Sequence, residues 1–163
     1  MKFNENTRVK IPAILHFMRL GYEYISVKSQ GSDIDGSTNI FSEVFISSIQ
    51  RINPVLSANE AKQALDEISL TLENEDLGRA FYRKLINKSG VRLVDFENFN
   101  ENTFQVVTEL TYKNGENEFR PDITLLINGM PLVFIEVKKP NNRDGIIAEH
   151  KRIQSRFSNK KFF

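Results

Sequence analysis

Arg120-Pro121-Asp122-Ile123-Thr124-Leu125-Leu126-Ile127-Asn128-Gly129-Met130-Pro131-Leu132-Val133-Phe134-Ile135-Glu136-Val137-Lys138 is the stretch from which both the fold and the chemistry of this chain can be read. Two strongly apolar strands, 122–127 and 132–137, flank Asn128-Gly129. That pair suits a two-residue hairpin, whose turn positions both need positive φ. The second strand is apolar on both faces and is expected to lie centrally in a sheet. Glu136 and Lys138 sit at its end, one residue apart, so they point to the same face. A carboxylate buried there costs several kcal/mol unless it is paired or holds a metal. Asp122 opens the neighbouring strand, near enough across the hairpin to share such an ion.

Register makes a demand. A regular hairpin pairs Ile127 with Met130, Leu125 with Leu132 and Ile123 with Phe134. Asp122 then stands opposite Ile135, and Glu136 faces the other way. One metal between the two acids therefore requires a three-residue turn, a bulge, or a bend near Pro121.

Outward from the hairpin, residues 91–96 and 104–112 read as further strands, with a turn at Asn114-Gly115. Upstream the period is helical. Residues 7–20 carry Val9, Ile11, Ala13, Ile14, Phe17 and Met18 on one stripe, and Pro12 marks a helix start or a kink. Residues 22–27 form a short strand and 28–38 a polar loop. Residues 40–52 are helical and stop before Pro54. Ser57 and Glu60 form a capping box for a helix to about Leu72, burying Ala61, Ala64, Leu65, Ile68 and Leu70 or Leu72. A third helix over 76–86 closes at Lys88-Ser89-Gly90. After the hairpin, Pro140-Asn141-Asn142 breaks the sheet and 145–157 is helical again. Helices, then a sheet, then a helix imply a mixed α/β (α+β) fold. A central mixed β-sheet is flanked by helices, in one domain over residues 1–163.

The chain has 163 residues, 40% hydrophobic and 26% charged, which suits one globular domain with its own core. No cysteine is present, which excludes disulfides, thiolate zinc sites and a cysteine nucleophile. The opening residues carry no signal-peptide apolar segment, and no run approaches the ~18 apolar residues of a membrane helix. A cytoplasmic protein without membrane partners is expected. Net charge is only +1, with a pI of about 7.9. Many DNA binders are strongly basic, so any DNA contact here must come from locally gathered cations or another part of a larger protein.

The trio Asp122, Glu136 and Lys138 has a definite chemistry. Two hard carboxylate oxygens suit Mg²⁺, with Mn²⁺ able to substitute. The ion polarises a scissile phosphate and acidifies its bound water, while Lys138 steadies the attacking water or the developing negative charge. The plainer alternative makes Asp122 a strand cap and Glu136–Lys138 an exposed ion pair. Residues 31–38 have the spacing of a phosphate loop, but Ser37 stands where lysine is needed and Asp33 and Asp35 repel phosphate, so a polar loop is expected. His16, alone on the first helix, is expected to be a half-buried packing residue.

Pro121-Asp122 with Glu136-Val137-Lys138 resembles the PD-(D/E)xK nuclease motif. The wider run from Arg120 through Lys139 and Pro140 is similar to the motor (R) subunits of type I restriction enzymes. So are the opening Asn4-Glu5-Asn6-Thr7-Arg8-Val9-Lys10-Ile11-Pro12 and Leu20-Gly21-Tyr22-Glu23-Tyr24. The resemblance implies Asp122 and Glu136 as metal ligands and Lys138 as catalytic lysine. It adds Glu5 as a possible further ligand, against the alternative of a solvated glutamate. It further implies a type I site-specific deoxyribonuclease, a Mg²⁺-dependent endonuclease cutting double-stranded DNA. Such a subunit works beside methylation and specificity subunits, with ATP used only by motor domains. These 163 residues hold no such motor, so the resemblance implies an N-terminal piece of a longer subunit.

Such subunits tend to carry a Gln-x-x-x-Tyr pair on the helix after the lysine. Here that helix reads His150-Lys151-Arg152-Ile153-Gln154-Ser155-Arg156-Phe157, with Gln154 but no partner tyrosine. Lys139, Lys151 and Arg152 are candidate DNA-backbone contacts, along with Arg156, Lys160 and Lys161; a solvated basic face is the alternative. The rival reading of the whole chain is a catalytically silent docking or regulatory module of the same shape.

Overall fold

Asn128 and Gly129 turn the chain with φ of 52° and 77°, the doubly positive geometry of a tight hairpin. The computed structural model describes residues 4–27, 33–114, 116–138 and 143–160. The hairpin joins β5 (Ile123–Ile127) to β6 (Met130–Ile135), as the last two strands of a four-stranded sheet. The other two are β1 (Glu23–Ile25) and β2 (Phe104–Thr108). Their order is β1-β2-β5-β6, with β1 parallel to β2 and the remaining pairs antiparallel. The expected mixed sheet is present. A small separate ribbon pairs β3 (Tyr112–Asn114) with β4 (Asn117–Phe119).

Five helices surround these strands among the described residues: α1 (Ile11–Arg19), α2 (Ser42–Ile52), α3 (Ala58–Leu72), α4 (Arg79–Leu85) and α5 (Arg143–Lys160). A wider π-helical turn, Asn6–Lys10, leads into α1, and Pro12 sits in the first turn of α1, where its missing N–H costs little. The capping box at α3 forms as expected, Ser57 and Glu60 each binding the other's backbone N–H. Ala61, Ala64, Leu65 and Ile68 are buried; of the two leucines, Leu72 packs on the core and Leu70 stays exposed.

The sheet lies between helices. Alternate residues Val106, Ile123 and Leu125 face α1 through Val9, Ile14 and Phe17. Val107 and Leu126 face the other way, toward Phe41 and Val44 at the start of α2. Behind these, Phe45, Ile49 and Ile52 of α2 pack with Ala61, Leu65 and Ile68 of α3. The hairpin turn is fastened into this layer. A Cβ on Gly129 would lie 2.6 Å from the Phe41 carbonyl oxygen and 2.8 Å from the Phe45 nitrogen, so only glycine permits the approach. The Phe41 N–H donates to the Gly129 carbonyl at 3.0 Å.

Five expectations fail. β6 lies at the edge of the described sheet, not at its centre. Its apolar residues are covered from other directions: Leu132 packs on the α2–α3 core, and Phe134 meets Phe119 of β4 edge-on at 5.1 Å. Residues 91–96 form no strand, because side-chain amides take the place of a ladder. Asn53 accepts from the Arg92 N–H at 3.0 Å and donates to its carbonyl at 2.9 Å, and Asn102 accepts from the Asp95 N–H at 2.9 Å and donates to the Asp95 carbonyl at 2.8 Å. The third helix starts late, at Arg79 after a left-handed Gly78, with Asp76 accepting the Ala80 N–H. His16 is exposed, not half-buried. The strand expected over 104–112 ends at Thr108, since Glu109 turns to a φ of 57°. The break expected at residues 140–142 lies outside the described residues.

Candidate metal centre

The ladder between β5 and β6 changes register once. Ile127 pairs with Met130 and Leu126 with Pro131; then Leu125 pairs with Val133, leaving Leu132 as an extra residue. This is a β-bulge beside a two-residue turn. Pro131 lies within it, on an edge strand where a missing N–H costs least. Beyond the bulge Thr124 pairs with Phe134 and Ile123 with Ile135, so the next positions to face each other are Asp122 and Glu136. Of the three devices that could align the acids, the fold uses the bulge.

Glu136 is held above the ordinary glutamate range. Burial is the first cause, followed by the hydrogen bond and the charge of Asp122; Lys138 and Arg156 pull in the opposite direction. The other contacts of Asp122 fix its place. Its Oδ2 accepts the Val137 N–H at 3.0 Å, and its carbonyl accepts the Glu109 N–H at 3.3 Å. Lys138 Nζ lies 3.8 Å from Glu136 Oε2. The three residues singled out in the sequence are therefore brought together at the open end of the hairpin.

Burial first and the neighbouring Asp122 second disfavour ionisation of Glu136, a setting that a bound cation would relieve. The donor set fits Mg²⁺, which commonly takes one or two protein carboxylates and completes its shell with water and phosphate oxygens. Among the described residues no group of three or more His, Asp or Glu side chains is gathered to hold a metal. A cation from the first helical turn stands beside the pair instead. Lys10, with a side chain only 9% exposed, has its Nζ 2.9 Å from Glu109 Oε1 and 3.8 Å from Asp122 Oδ1. That lysine holds the Glu109 carboxyl below its usual range, by hydrogen bond first and by charge second.

Helix α5 brings one residue that pattern reading did not single out. Glu149 is buried, and its Oε2 lies 3.4 Å from Lys138 Nζ. Arg152 and Arg156 also pair with Glu149, the latter at 3.9 Å. The Arg156 guanidinium stacks 4.4 Å from the centre of the Phe119 ring, and its charge is felt by Glu136. A signal existed, since Glu149, Arg152 and Arg156 recur at helical spacing on one face. Of the candidate DNA contacts, Lys151 is exposed, Arg152 turns back to Glu149, and Lys139 lies outside the described residues.

Residues 33–38 form the expected polar loop, in which Asp35 accepts from the backbone N–H groups of Ser37 and Thr38. No described helix is long and apolar enough to cross a membrane.

Comparison with known proteins adds a consistent result. The model of the type I restriction enzyme R protein N terminus matches residues 2–163. A Methanocaldococcus jannaschii protein assigned as the type I restriction enzyme MjaIXP endonuclease subunit is 32% identical over 86% of this chain and 16% of its own length. The HindI endonuclease subunit of Haemophilus influenzae is 28% identical over 84% of this chain and 15% of its own length. The chain thus spans about a sixth of these relatives.

Proposed function

The chain belongs to the type I restriction enzyme R protein N-terminal family, and from that premise we propose that it is a Mg²⁺-dependent nuclease centre of the PD-(D/E)xK kind, cutting duplex DNA as part of a motor subunit. The observation that carries this reading is the bulge that sets Asp122 opposite Glu136, with Lys138 beside them.

Asp122 and Glu136 would hold the ion through one carboxylate each. When bound, Mg²⁺ polarises the scissile phosphate and lowers the pKa of its water. The Lys138 ammonium, within ionic reach of Glu136, is placed to hydrogen-bond the attacking water or a phosphate oxygen as negative charge builds there. Water attack forms one P–O bond and breaks the one to the leaving sugar oxygen, which takes up a proton. Lys10 offsets the charge of Asp122 and Glu109 on the flank, which keeps two acids and a third nearby compatible with folding. ATP use, DNA translocation, and assembly with methylation and specificity subunits belong in this proposal to the rest of such a subunit.

Titration with Mn²⁺ or Mg²⁺, followed by calorimetry, tests the reading. Saturable binding abolished by Asp122→Ala is expected; no binding would instead favour a silent docking module.

A further inference from the structure

We propose that Glu149 is the positioning residue of Lys138, keeping its amine over the metal centre through the reaction. The inference rests on the nuclease reading, since it matters only if Lys138 does chemistry.

Glu149 is 4% exposed on a helix whose neighbouring residues Ile147, Ala148 and His150 are all exposed. Its two oxygens are buried and make no hydrogen bond among the described residues. A carboxylate in that setting costs several kcal/mol unless nearby charge offsets it. The offset comes from Lys138 at 3.4 Å on one side, and from Arg152 and Arg156 on the other. The two arginines keep Glu149 anchored, and Arg156 is itself held against Phe119.

Lysine needs such a hold. Its ammonium ends a flexible four-carbon stem, and residues 136–138 lie past the last ladder pair of an edge strand. Among the described residues the Lys138 amine has two acidic partners, Glu136 and Glu149. Glu136 is the group whose charge the cation would take up, so its grip on the amine weakens once the site is loaded. Glu149 is not one of the two proposed ligands, so it is left to hold the amine in place.

The test uses the complete R subunit in its assembled complex, with single-turnover cleavage of duplex DNA at saturating Mg²⁺. K138A, E149A and E149Q are compared, with ATP hydrolysis and melting temperature as controls. E149A is expected to slow cleavage ~10–100-fold, the usual effect of removing a group that orients a site residue, while ATP hydrolysis and DNA affinity stay unchanged. E149Q keeps an oxygen that accepts from the amine, so its rate should fall between wild type and E149A. If E149A fails to fold, a slowed but folded E149Q carries the test. With K138A inactive, a folded E149 variant cleaving at the wild-type rate overturns the inference alone. So does E149Q no faster than E149A, both losing thermal stability in step. K138A cleaving normally overturns the nuclease reading first, and this inference with it.

Discussion

Asp122 and Glu136 face each other across the β5–β6 hairpin because Leu132 is an unpaired residue between them. In a regular ladder the two acids would lie on opposite faces. Burial, together with the neighbouring Asp122, pushes Glu136 above its ordinary range.

The first prediction follows from that shift. Because the folded-state pKa of Glu136 is raised, its carboxyl favours folding while protonated, and that benefit is lost as pH rises from 4.5 through the raised value. Metal-free Glu136→Gln should therefore melt higher than wild type at neutral pH, by about 2–4 °C per kcal/mol of repulsion relieved. The advantage should vanish in acid. Thermal melts at several pH values without divalent ions check this; an unchanged or lower melting temperature at pH 7 counts against the strained pair.

A second concerns catalysis. In the complete subunit, Glu136→Ala or Lys138→Ala should reduce cleavage at least ~10²–10³-fold, the scale of losing one group that stabilises transition-state charge. ATP hydrolysis and folding should persist. Plasmid cleavage measured beside ATP turnover decides it, and loss of both in step would assign the two residues a structural role.

The third lies at the turn. Asn128, fully buried, donates to the Leu93 carbonyl and to Asn102 Oδ1, and accepts the Thr103 N–H. Asn128→Ala removes those bonds at a left-handed position and should cost roughly 2–4 kcal/mol. Gly129→Ala forces a Cβ onto the Phe41 and Phe45 backbone, so a loss of the same order or greater is expected. Urea unfolding measures both; a Gly129→Ala protein as stable as wild type would mean that α2 does not rest on the turn.

Much of this architecture was legible, and the failures have physical causes. The Ser57–Glu60 cap and the Asn128-Gly129 turn are local, so residue chemistry alone dictates them. The bulge could be demanded but not chosen, because three devices satisfy the same parity. Residues 91–96 look like a strand by composition, yet Asn53 and Asn102, distant in sequence or in register, take their backbone bonds. Glu149 was missed for a related reason: its burial depends on how α5 packs against Lys138, which no local period reveals.

A fourth prediction is weak DNA affinity for residues 1–163 alone, in the non-specific range of ~10⁻⁴–10⁻⁶ M. The motive is the net charge of +1, together with Arg152 and Arg156 being paired to Glu149. Fluorescence anisotropy at physiological salt tests it, and nanomolar binding would refute it.

The looped-out leucine also has an evolutionary reading. The alignment of the two acids is encoded by how many residues separate them, odd or even. Outside the Asn128-Gly129 turn, the apolar strand residues can exchange for one another, whereas a single insertion or deletion in a strand reverses the side on which Glu136 emerges. Paired insertions conserve it. Between these two positions, length is a constraint in its own right beside the identity of the turn residues.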